Sequence, residues 1–223
     1  MSARWARGLL ACVALVLVAR FTCPPLLEPY TFSREVTDRD GKLLRLTLAA
    51  DQTYRVWTPL DRFAPELVEA TQLYEDRWFF WHPGVNPVAL VKAAEETFSG
   101  GRRRGGSTLT MQLARMRFHI DSHTVPGKLQ QIARAVQLEL TYSKRELLEA
   151  YLNLAPYGGN VEGAGTAARI YFHKDASQLS LAEALALAVL PQSPSARTPG
   201  AGAEPPRLFA ARVKLGGLWL AAH

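Results

Sequence analysis

Ten residues near the C-terminal end, Leu181 to Leu190 (LAEALALAVL), constrain the fold more than any other stretch. A helix that is apolar on nearly every side must be covered on nearly every side, so this one is expected at the buried centre. Ser180 with Glu183 forms a capping box at its start, and Pro191 stops it. The cover has to come from the other helical segments. Ser143 with Glu146 caps a second helix through about Leu154. Ser107 or Thr108 caps one that runs towards Phe118. Gly127 to Leu140 is amphipathic, with Leu129, Ile132, Ala133, Val136 and Leu140 as its expected core face. Pro65 suits a first helical turn, and helical periodicity continues from it to Phe79. A last helix is expected over about Pro206–Ala222, after a Pro/Ala/Gly-rich linker at 192–206. Phe32–Asp38 and Lys42–Leu48 flank the turn signal Asp40-Gly41, and Tyr54–Trp57 reads as a further strand. The fold class predicted is mainly α with a small β element.

The N-terminus adds a second constraint. Gly8 to Ala19 is an uncharged run, GLLACVALVLVA, with Arg4 and Arg7 before it, Arg20 after it and Pro24-Pro25 beyond. About 20 residues are needed to span a bilayer. Arg4 to Cys23 reaches that length if the arginines snorkel to the interfaces. The favoured reading is a signal-anchor helix with the N-terminus inside. A cleaved signal peptide, for which Leu17-Val18-Ala19 is a poor site, and a buried core helix are the alternatives. Both leading readings put residues after about 28 outside the cytoplasm. The expected organisation is a flank and membrane anchor at 1–27, a small β segment at 28–58 and a globular domain at 59–223.

That placement changes the meaning of the charge. The chain carries 26 Lys+Arg against 20 Asp+Glu, a net +6. On the outer side of a membrane this suits anionic lipid or a phosphorylated lipid better than nucleic acid. Cys12 and Cys23 are too few for a disulfide framework or a four-ligand zinc site. The histidines (82, 119, 123, 173 and 223) do not pair at metal-ligand spacing, and no S-x-x-K or K-T-G motif is present.

Two segments point to chemistry. In YEDRWFFWHPG, Tyr74 to Gly84, a helical wheel places Leu67, Thr71, Tyr74 and Trp78 on one face. Glu75 falls at the border of that face and Asp76 on the polar side. A carboxylate beside Trp and aliphatic groups is partly desolvated, which raises its pKa and suits a general acid or base. The plainer alternative is a boundary carboxylate paired with an arginine. In GGSTLTMQLAR, Gly105 to Arg115, two glycines lead into a helix start whose free N–H groups suit an anion. Thr108, Gln112 and Arg115 follow on one face, a set suited to phosphate and sugar hydroxyls. An ordinary capped surface helix is the alternative. Lys128 and Gln131 share a face of the next helix, and Arg102–Arg104 form a basic loop.

Together and in this order, these segments resemble the glycosyltransferase family 51 domain. That domain is the peptidoglycan glycosyltransferase of class A penicillin-binding proteins and of the monofunctional biosynthetic transglycosylases. Glu75, Asp76, Phe79, His82 and Gly84 fit its first motif, E-D-x-x-F-x-x-H-x-G. Gly105, Gly106, Ser107, Thr108, Thr110 and Gln112 fit its second. Lys144–Phe172 and Leu179–Ser195 fit the fourth and fifth, and TDRDGKLLR resembles the domain's N-terminal start. GGSTLTMQLAR and LNLAPYGG look most like the 1C group, whose members carry a transpeptidase domain further on. With the chain stopping at His223, a monofunctional or truncated form is expected.

The resemblance implies a lysozyme-like helical fold at the plasma membrane and polymerisation of lipid II into glycan strands, with undecaprenyl diphosphate leaving. It assigns Glu75 as general base, Phe79 and His82 as support around it, Thr108 and Gln112 as donor-site contacts, and Arg115 and Lys128 as cations for the diphosphate. Asp76 joins the substrate-binding set. Mg²⁺ or Mn²⁺ is the ion a diphosphate leaving group would bring, and a separate transpeptidase is the implied protein partner. One position departs: the third motif commonly reads K-x-x-E, and here Lys128 is followed by Gln131, taken as the second catalytic position. An amide supplies neither negative charge nor a proton. A catalytically weakened domain that binds lipid II or glycan is therefore the second expectation, and a lysozyme-like hydrolase using one Glu the third.

Overall fold

The computed structural model describes residues 3–39, 43–88, 106–199 and 204–223. It is mainly helical. The helices are α1 (Ala3–Phe21), α2 (Pro65–Glu75), α3 (Leu109–Arg117), α4 (Val125–Thr141), α5 (Lys144–Leu154), α6 (Ala164–Phe172), α7 (Leu181–Val189), α8 (Pro194–Arg197) and α9 (Pro206–Ala222). The strands are β1 (Glu35–Thr37), β2 (Leu43–Leu46), β3 (Tyr54–Arg55), β4 (Pro156–Gly158) and β5 (Val161–Glu162). The chain divides into two compact units, Met1–Glu28 with Phe80–Leu147, and Pro29–Phe79 with Leu148–His223.

The second unit is built round α7, as the sequence requires. Ala184 to Val189 are all buried, and α2 and α9 pack against the helix. The capping box is present: Ser180 N–H donates to Glu183 Oε2 at 2.8 Å, and the reciprocal bond closes on the Ser180 side chain. Beside this core lies a three-stranded sheet in the order β3-β5-β4, with β3 parallel and β4 antiparallel to β5. Strands β4 and β5 were not expected from the sequence, because runs of three and two residues carry no readable alternation. After β5, Gly163 turns the chain into α6 at φ 85°, and a Cβ there would stand 2.8 Å from Asn153 O. Asn153 is itself fully buried and pairs with Thr58 like a strand neighbour: it accepts from Thr58 N–H at 2.7 Å and donates to Thr58 O at 2.8 Å. The β1–β2 hairpin forms as predicted, with Glu35 opposite Leu46, while its Asp40-Gly41 turn lies outside the described residues.

Arg55 ties the sheet to the segment before it. It is 1% exposed. Its guanidinium donates to Glu162 Oε2 at 2.9 Å, to Asp51 Oδ2 at 3.0 Å and to Thr31 O at 2.6 Å, and lies over the Tyr30 ring.

In the first unit, α4 packs against both α3 and α1. The Gly127–Leu140 helix starts two residues earlier than expected, because Thr124 caps it by accepting from Gly127 N–H at 3.1 Å. Its core face also needs correction. Gln131, Ala135 and Leu138 are the buried residues, whereas Leu129 is 63% exposed and Val136 and Leu140 are exposed as well. The apolar stripe is wide, and α3 covers its Gln131–Ala135–Leu138 edge rather than its most hydrophobic line.

The membrane anchor needs correction too. The helix α1 forms, but no helix among the described residues is long and apolar enough to cross a membrane. Its uncharged run rises about 1.5 Å per residue and covers roughly 18 Å of a core about 30 Å thick. Any longer window takes in Arg4, Arg7 or Arg20. Leu10, Val13, Leu17, Val18 and Phe21 are exposed, while Gln137 of α4 donates to Ala19 O at 3.0 Å and Arg117 to Pro25 O at 3.0 Å.

Candidate active site

The residues singled out by sequence fall in both units: Glu75, Asp76 and Phe79 in the second, His82, Thr108, Gln112, Arg115, Lys128 and Gln131 in the first.

In the second unit, α2 ends at Glu75, with Asp76 as its C-cap at φ −162° and ψ 77°. The helix therefore ends four residues short of the expected Phe79 and before two of the wheel's assignments. Asp76 is not on a polar side but 8% exposed, and Trp78 lies beyond the helix and is exposed. Asp76 accepts from Phe79 N–H at 3.0 Å through its carbonyl, and Phe79 is buried. Glu75 is half-buried, with Oε1 closed off from solvent. Its neighbour Tyr74 donates to Gln192 Oε1 at 2.7 Å and accepts from Arg197 at 3.2 Å. This fixes the end of α2 on the segment just after α7.

A residue that sequence reasoning passed over stands beside this carboxylate. Tyr157 of β4 is fully buried, and burial together with the Glu75 charge pushes its phenol well above the ordinary value. Its carbonyl accepts from Tyr171 Oη at 3.0 Å. Its signal in the sequence is its place inside LNLAPYGG, which marks a motif and not a group near an acid.

In the first unit, hydrogen bonds link His82, Gly84, Thr108, Thr110, Glu139 and Lys144. Lys144 Nζ donates to His82 O at 2.7 Å and to Glu139 Oε1 at 2.8 Å. The Glu139 side chain is 8% exposed and also accepts from Thr110 Oγ1. Gly84, at φ 80°, lies against it, and a Cβ there would come within 2.7 Å of Glu139 Cγ. Thr108 caps α3 as expected, accepting from Met111 N–H at 3.1 Å, and donates to Gly84 O at 2.6 Å. A hydroxyl has one proton. Thr108's is committed to Gly84, so its part here is to join the first motif to the second.

Gln112 is half-buried on α3 and Arg115 is exposed one turn on. Lys128 Nζ donates to Ser107 Oγ at 2.7 Å and to Gln131 Oε1 at 2.9 Å. Burial and the Arg115 charge hold the Lys128 ammonium below the ordinary lysine value. Lys128, partly desolvated beside Ser107 at the start of α3 and close to the charge of Arg115 in that helix's last turn, forms a setting that an anion would relieve. Gly105 and Arg102–Arg104 lie outside the described residues.

These groups do not suit a resident divalent ion. The charged group on Ser107 is the Lys128 ammonium, and among the described residues no group of three or more His, Cys, Asp or Glu is placed to hold a metal. An apolar cavity of about 340 Å³ lies on the same unit, lined by Phe80, Trp81, His82, Val136, Leu140 and Lys144 among others.

Comparison with known proteins adds four findings. A family model described as Transglycosylase matches residues 40–215. Penicillin-binding protein 1C of Escherichia coli is 45% identical over 82% of this chain and 24% of its own length. The biosynthetic peptidoglycan transglycosylase of Rhodospirillum centenum is 38% identical over 70% of this chain and 68% of its own. A crystal structure of penicillin-binding protein 1A from Haemophilus influenzae overlaps 86% of this chain and 18% of its own, at TM-score 0.45 and 19% identity. The chain thus spans about a quarter of the length of the penicillin-binding relatives and about two thirds of the biosynthetic one.

Proposed function

Because this chain belongs to the transglycosylase family, we propose that it is a peptidoglycan glycosyltransferase that polymerises lipid II into glycan strands and releases undecaprenyl diphosphate. The observation that carries this beyond membership is the pair of cations on the first unit. Lys128 sits within reach of the Arg115 charge and of the hydroxyl of Ser107, the residue before the cap of α3. Such a set stabilises a leaving diphosphate, on which negative charge grows in the transition state.

On this reading Glu75 takes the proton of the attacking sugar hydroxyl as the glycosidic bond forms and the bond to the diphosphate breaks with inversion. Gln112, Arg115 and Lys128 bind the donor. Thr108 and His82 act by position, through the bonds to Gly84 O and from Lys144. A mainly helical fold agrees with the lysozyme-like arrangement that the motifs imply.

The protein works at a membrane surface on the envelope side, where lipid II lies. The exposed apolar residues of α1, with Leu129, Val136 and Leu140 of α4, give the first unit an amphipathic character fit for an interface rather than a span. A separate transpeptidase would cross-link the strands.

A second reading is favoured by Gln131, which lacks the charge of the usual glutamate: a domain that binds lipid II without turnover. Purified protein incubated with lipid II separates the two. Polymer on a gel is the expected result. Binding without polymer supports the second reading, and cleavage of preformed glycan would overturn both.

A further inference from the structure

Gln131 occupies a place that a carboxylate does not fit. It is 1% exposed. Its Nε2 donates to Met111 O at 2.7 Å and its Oε1 accepts from Lys128 Nζ at 2.9 Å. A lysine ammonium only donates and a carbonyl only accepts. Whatever stands between them must offer one acceptor and one donor, which is what an amide has. An ionised glutamate would set its second oxygen against Met111 O, out of reach of water. Protonation or displacement is the only relief for such a buried contact.

The bonds also close on themselves. Lys128 reaches from Gln131 to Ser107, the residue before the cap. Met111, whose carbonyl holds Gln131, has its own N–H held by Thr108. Ser107, Lys128, Gln131, Met111 and Thr108 thus form one chain of contacts around the first turn of α3.

We infer that Gln131 is a positioning residue that fixes Lys128 against the first turn of α3 for binding a diphosphate, and that this chain is matched to an amide at the position rather than impaired by one. The inference deepens the glycosyltransferase reading and rests on it for the identity of the ligand. An acid here would partly neutralise the lysine that the diphosphate needs. The amide orients Lys128 and leaves its charge to the ligand and to the company of Arg115.

The test uses inorganic diphosphate as probe, by titration calorimetry, on the whole chain and on Gln131→Glu and Gln131→Met, with polymerisation of lipid II measured separately. Gln131→Glu is expected to weaken diphosphate binding about tenfold or more, and Gln131→Met by several fold. In polymerisation both variants should raise KM more than they lower kcat. Thermal unfolding checks that the variants fold; if Gln131→Glu does not, Gln131→Met carries the test. Parent-like diphosphate affinity in the folded variants overturns the inference, as does a parent chain that does not bind diphosphate. If diphosphate binding ranks as expected while no variant, nor the parent, makes polymer, the polymerase reading fails and the role of Gln131 stands.

Discussion

Glu75→Gln is expected to abolish glycan polymerisation while lipid II binding stays near that of the parent. The carboxylate ends α2, and the chain turns away immediately after it at Asp76. One of its oxygens is closed off from solvent, and the fully buried Tyr157 feels its charge. The amide keeps the shape and the polar contacts but cannot accept a proton from a sugar hydroxyl. General-base catalysis contributes about 10²–10⁴ in rate, so turnover should fall by at least that factor. Binding should hold, because the groups assigned to the donor, Gln112, Arg115 and Lys128, are untouched. A polymerisation rate within tenfold of the parent would remove Glu75 from the mechanism.

Arg55→Met is expected to cause the largest loss of stability, about 2–4 kcal/mol. Met fills most of the volume but leaves Glu162, Asp51 and Thr31 O without the donor that joins them. Glu162 and Asp51 are 27% and 46% exposed in their side chains, so water recovers part of the cost. The exposed-side pair Arg212–Glu204 is the control, and Arg212→Met should cost under about 1 kcal/mol. Urea unfolding of the two variants decides. Equal midpoints would mean that the buried guanidinium contributes no more than a surface ion pair.

The helical frame was legible because its signals are local. The almost wholly apolar α7 and the capping boxes at Ser143 and Ser180 each follow from a dozen residues or fewer, and α9 from a single run of 17. Where a tertiary partner chooses, local signals failed. They pointed to Leu129, Ile132, Ala133, Val136 and Leu140 as the covered face of α4, but the stripe is wide and the buried residues are Gln131, Ala135 and Leu138. The sequence did not show β4 and β5, because such short strands owe their existence to their partners, β5 to β3 and β4 to β5. The site was read residue by residue from its motifs, but two of its physical facts were not. The burial of Asp76 depends on where α2 stops, and the double bonding of Gln131 depends on a carbonyl twenty residues upstream.

The cap of α7 has a consequence of its own. Glu183 holds Ser180 and also accepts from Lys174 Nζ at 2.8 and 2.9 Å. Burial works against its charge, but the bonds from Lys174 and Ser180 outweigh it and keep the carboxyl below its ordinary range. A carboxylate favoured in the folded state stabilises above the ordinary carboxylate pKa and loses that effect as pH falls through the folded value. The central helix of the second unit is therefore latched by a clasp that acid opens, and amide exchange at Leu181–Ala184 should quicken on acidification before the rest of α7 responds.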